Sequence, residues 1–116
     1  MSCQSCNGNI TRGTTPTIII ELPPGLHTTD VVECYLTVNQ YANLIFEKDI
    51  DGMEADDSGT VSVFRAKLTQ AETLALSKLA GNNAQLQVRL KTLLGDALAS
   101  PIVSTTVEAI LKDGEI

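Results

Sequence analysis

The stretch NAQLQVRLKTL (83–93) alternates more strictly than any other part of the chain. Ala84, Leu86, Val88 and Leu90 fall on one side, and Gln85, Gln87, Arg89 and Lys91 on the other. A period of two is that of a strand, whose successive side chains point to opposite faces. One apolar and one polar side is the signature of an antiparallel sheet packed on a core and wet on its outer face. Leu94-Gly95-Asp96-Ala97 then turns the chain, and 97–111 reads as a longer final strand, with Pro101 marking an edge or an entry point.

Working back from residue 83, TQAETLALSKLAG (69–81) changes period. Thr69 and Glu72 have capping-box spacing, Ala71, Leu74, Ala75 and Leu79 suit one helical face, and Gly81 stands where a left-handed cap would end it. Earlier segments are β-rich again: 16–22 with Ile18, Ile20 and Leu22 on one face, 31–38 with Val32, Cys34, Leu36 and Val38 on one face, 41–50 with Ala42, Leu44 and Phe46, and 60–68. Asn39-Gln40 reads as the tight turn between the second and third of these, and 51–59 as an acidic connection. Residues 1–15 are polar and read as a flexible arm, leaving 16–116 as a single domain. Short strands with turn signals every 8–12 residues predict an immunoglobulin-like antiparallel β-sandwich. About seven strands are expected, with one short helix near 70–80 before the penultimate strand.

Composition excludes several function classes. The 116 residues carry a net charge of −6, with eight Lys and Arg scattered against fourteen acids, which argues against nucleic-acid binding. Tyr35, Tyr41, Phe46 and Phe64 are the whole aromatic complement, so platforms for stacking bases or sugars are scarce. No apolar run approaches 18 residues, and the first residues lack a signal-peptide pattern, so the expectation is a cytosolic, reducing setting without disulfides or a membrane partner.

Three groups invite chemical readings. Cys3 and Cys6 have CxxC spacing, but a structural zinc needs four ligands. The metal reading therefore requires two arms from neighbouring subunits; the plain reading is an inert arm, and Cys34 reads as a core residue. The loop DIDGMEADDSG (49–59) gathers five carboxylates but misses the EF-hand spacing, and reads as a solvated acidic connection. His27 lies in HTTD beside Thr28, Thr29 and Asp30, but a sequential run in a Pro-Gly loop does not fix a nucleophile, a base and an orienting group. No GxSxG, P-loop, GxGxxG or HExxH occurs, so a protein that is not an enzyme and holds no cofactor is expected.

TRGTTPTIIIEL near the start, LTQAETLAL followed by AQLQVRLKTLLGDALASPIVSTTV, and the ending ILKDGEI together resemble short prophage proteins of Gram-positive bacteria. The likeness spans residues 11–116 and extends to the immunoglobulin-like N-terminal domains of phage upper-baseplate proteins. It differs from these in lacking their long C-terminal extension and in carrying SCQSC. The resemblance implies a tail or baseplate part that assembles with itself and with other phage structural proteins, in the bacterial cytoplasm when made and in the virion when assembled. The competing expectations are a small ligand- or glycan-binding sandwich, which a cluster of Tyr35 and Tyr41 would favour, and an oligomer bridged by metal through Cys3 and Cys6.

Overall fold

The computed structural model describes the backbone of residues 2–5 and residues 9–77 and 83–116 in full. The described residues form β1 (Ser2–Ser5), β2 (Asn9–Thr11), β3 (Thr17–Glu21), β4 (Val31–Gln40), β5 (Asn43–Asp49), β6 (Met53–Asp56), β7 (Val63–Lys67), α1 (Gln70–Leu74), β8 (Asn83–Thr92), β9 (Ala97–Ala99) and β10 (Val103–Glu108). They make two sheets, ordered β1-β3-β7-β6 and β2-β10-β8-β4-β5, with β9 also beside β8. One core lies between them: Ile18, Ile20, Phe64 and Ala66 from the first sheet meet Cys34, Leu36, Val38, Ala84, Leu86, Val88 and Leu90 from the second. The expected all-β sandwich with one short helix is what forms.

The strands exceed the expected seven for local reasons. The predicted final strand is divided at Ser100-Pro101. Proline has no N–H to give the ladder, so pairing lapses there. Ser100 bridges the gap, its N–H donating to the Val88 carbonyl and its Oγ accepting from the Val88 N–H, each at 2.9 Å. β9 and β10 therefore both pair with β8. β6 arises within the connection expected to be loop, pairing with β7 as a short, acidic edge.

Two bulges shift faces. Val31 pairs with Thr92 and Glu33 with Lys91, so Val32 is an extra residue; it is exposed, and Val31 takes the core position expected of it. A second shift leaves Ile45 between the Val38–Phe46 and Asn39–Leu44 pairs. Phe46 packs on the core as expected, but Leu44 is turned outward. Asn39 and Gln40 belong to β4, and the turn falls two residues later, on Tyr41 (φ 53°) and Ala42 (φ 62°). Two central residues at positive φ match the right-handed twist of a hairpin.

α1 starts with the predicted capping box: Glu72 N–H donates to Thr69 Oγ1 at 3.1 Å, and Thr69 N–H donates to Glu72 Oε1 at 2.8 Å. It stops at Leu74, and the residues that reach the interior are Thr73 and Leu76 rather than Ala71 and Ala75. Leu79 and Gly81 lie outside the described residues.

Part of the stretch expected as an arm is strand. Residues 2–5 pair antiparallel with β3, and β2 runs parallel beside β10, burying Ile10 completely. Asn9 Nδ2 and Thr11 Oγ1 both donate to the Glu108 carboxylate, and Arg12 N–H donates to the Glu108 carbonyl. Arg12 itself is buried. Its Nε and Nη2 donate to the carbonyls of Leu76 and Leu74, each at 3.0 Å, and its Nη1 lies 3.4 Å from Asp113. These are the carbonyls that the end of a helix leaves unpaired, and the guanidinium charge suits the negative end of the helix. Gly13 follows at φ 76°, where a Cβ would sit 2.9 Å from Ile110 Cδ1.

Candidate functional site

The backbone of Cys3 lies opposite Ile20 in β1. Its side chain, and Cys6 entirely, lie outside the described residues. Cys34 is fully buried between the sheets. Among the described residues no three His, Cys, Asp or Glu side chains stand close enough to share a metal ion.

The acidic connection is dispersed by its own hydrogen bonds. Asp49 Oδ1 accepts from Asp51 N–H, capping a 3-10 turn at Ile50–Gly52. Asp56 accepts from the Ser58 hydroxyl and N–H and, 2.7 Å away, from Arg65 Nη1; these contacts, led by Ser58, hold its carboxyl well below the usual range. Asp57 crosses to another loop, where Thr28 N–H and Oγ1 donate to it at 2.9 and 2.6 Å. Hydrogen bonds from Ser62 and Thr28 lower Asp57 to about 2.

That crossing brings together a histidine, a carboxylate and a serine. His27 Nδ1 is 3.4 Å from Ser62 Oγ and 3.9 Å from Asp57. A hydrolytic triad needs the carboxylate on one ring nitrogen and the nucleophile on the other. Here both neighbours share Nδ1, and the Ser62 hydroxyl also bonds Asp57 directly. The cluster does not have the geometry of general-base activation. What it does is cap the Thr28–Asp30 turn: Asp57 binds its first N–H, and Asp30 Oδ2 accepts from His27 N–H.

The remaining concentration of unspent polar groups is the outer face of the larger sheet. The strict alternation of β8 sends Arg89 and Lys91 outward, and that of β4 beyond its bulge sends Tyr35 and Thr37 outward. Register sets Tyr35 directly between Asp49 on β5 and Arg89 on β8, and sets Glu33 beside Lys91. A hollow of about 330 Å³ opens there, lined by Glu33, Tyr35, Glu47, Arg89 and Lys91 among others. The Glu33 carboxylate first, then partial burial and the charges of Asp49 and Glu47, raise the Tyr35 phenol above its usual value. Arg89 and Lys91 enter no ion pair among the described residues.

At the hairpin end of the same face, Leu44 is 61% exposed beside Asn39, and Ile102, 62% exposed, leans over β8 into a shallow hollow with Asn39, Gln85 and Gln87. Tyr41 stands at the hairpin tip, six residues beyond Tyr35, a separation of roughly 20 Å along a strand. The two tyrosines do not form one aromatic platform. Sequence alternation already pointed Tyr35 and Arg89 to the wet side; Leu44 was missed because the bulge that turns it outward has no sequence marker.

No family model matches the chain, and no curated protein matches it.

Proposed function

We propose that this chain is a non-catalytic structural protein of a phage or prophage particle, a tail or baseplate part that works by self-assembly and by binding neighbouring proteins. One observation carries the reading. The polar side chains that could have served chemistry are committed to the scaffold, at Asp57, Asp56, Glu72 and Arg12, while a sheet face keeps Arg89 and Lys91 without an ion pair among the described residues and leaves Leu44 and Ile102 exposed. Such a division suits a building block, whose specificity lies in a surface rather than in a cleft. The motifs over residues 11–116 that resemble prophage proteins support the same reading.

The test is mass spectrometry of purified tails and tail-less particles after induction of the host strain. Peptides of this chain in the tail fraction, at a fixed ratio to other structural proteins, are expected. A chain found only in the soluble lysate would overturn the proposal.

A second reading has one observation in its favour, the hollow beside Tyr35. A single half-buried ring can support a small ligand, including a sugar. Binding on a glycan array that is lost in Tyr35→Ala would favour this reading over assembly.

A further inference from the structure

We propose that the β8-β4-β5 part of the outer face of the larger sheet is the contact between two copies of this chain, related by a two-fold axis running nearly along β4. The inference rests on the self-assembly reading and adds the surface and the symmetry.

The pattern of the face selects the operator. Register places Asp49, Tyr35 and Arg89 in one row across β5, β4 and β8. Neighbouring strands are about 4.8 Å apart, so acid and base stand about 10 Å apart with the ring midway. A two-fold axis in the plane of contact and parallel to the strands exchanges left with right while keeping the level along the strand. Asp49 of one copy then meets Arg89 of the other, twice, and Tyr35 meets Tyr35. An axis perpendicular to the strands would instead set acid column against acid column.

The second row gives an independent check. Leu44 on β5 and Ile102 over β8 flank Asn39 as Asp49 and Arg89 flank Tyr35. The same axis lays Leu44 of one copy on Ile102 of the other, and so covers both side chains. An isologous contact must be self-complementary in this way. This axis overlays β5, β4 and β8, three strands at about 4.8 Å spacing and up to ten residues long, about 14 by 33 Å or a little under 500 Å² from each copy, the size of a weak, concentration-dependent contact whose specificity comes from the charge pairs. Asp49 keeps one carboxylate oxygen for the contact, since only Oδ1 serves the Asp51 N–H.

Sedimentation equilibrium of the full chain provides the test. The unaltered chain is expected to form a dimer, or an even-numbered assembly built from dimers. Asp49→Arg and Arg89→Asp should each weaken association by about tenfold or more, and the doubly exchanged chain should recover it, because the reversed pair is again complementary. Leu44→Ser should weaken association with unchanged circular dichroism, the side chain being exposed in the monomer. Three results would overturn the proposal: a monomer throughout the concentration range, an assembly indifferent to all four variants, or a double exchange that does not recover. The second would leave self-assembly standing on another surface, and presence or absence in tails judges the functional reading separately.

Discussion

Arg12 shows how much one side chain can organise. It is buried, and its guanidinium bonds two carbonyls at the end of α1 that the helix itself leaves open, with the Asp113 carboxylate beside its Nη1. Hydrogen bonds to a charged group are worth more than neutral ones, and removing the donor strands buried acceptors. Arg12→Met is expected to cost about 3 kcal/mol in urea unfolding. Arg12→Lys should recover only part of this, because an ammonium lacks the fork that spans two carbonyls. Asp57 makes the complementary case. Its folded pKa of about 2 lies below the ordinary value, so the folded state favours the carboxylate. Its stabilisation is complete above the unfolded value near 4 and is lost as pH falls through about 2. The stability of the unaltered chain and of Asp57→Asn should therefore differ at neutral pH and converge over that window. Neither role was legible. Arg12 sits in a polar stretch whose partners lie more than sixty residues away, and Asp57 sits among like residues with nothing local to single it out for Thr28.

At the scale of elements, legibility followed the continuity of pairing. β8 and β3 are uninterrupted, and their predicted inward residues are the buried ones, because period two translates into faces only while register holds. β4 and β5 each carry a bulge, and there the prediction put Val32 and Leu44 on the wrong side. The capping box of α1 was readable because both partners are local; the helix's length was not, because Arg12 draws on its last carbonyls. The outward row of Tyr35 and Arg89 was readable by alternation, but its acidic member Asp49 depended on the β5 bulge. The hairpin makes the most direct prediction. Tyr41 and Ala42 occupy a left-handed region that costs L-residues roughly 1–2 kcal/mol each. Replacing them by Asn and Gly, the residues that such turns favour, should raise stability by about 1 kcal/mol and the thermal midpoint by several degrees. A lowered midpoint would mean that Tyr41 packs on the hairpin in a way that outweighs the strain.

Across the whole molecule, β4 and β8 hold the centre. They pair with each other along most of their length, and each has a strand on its far side. Their amides should be the slowest to exchange with deuterium, and those of β6 and β9, short strands at the margins, the fastest of the strands. Exchange slowest in β6 or β9 would contradict this hierarchy. The sheet is completed only by β2, which lies parallel to β10 and is clasped to it across 97 positions, from Thr11 to Glu108. For a chain made vectorially this sets an order of events. β2 leaves the ribosome early and cannot find its neighbour until residue 108 has followed, roughly 5–20 s later at ordinary rates of synthesis. Through that interval Ile10 has no cavity to enter, and the nascent sandwich must be held by chaperones or by its own β3-to-β8 portion. The joining of β2 to β10 is thus a late event in the assembly of this sheet, possible only after every strand between them has been made.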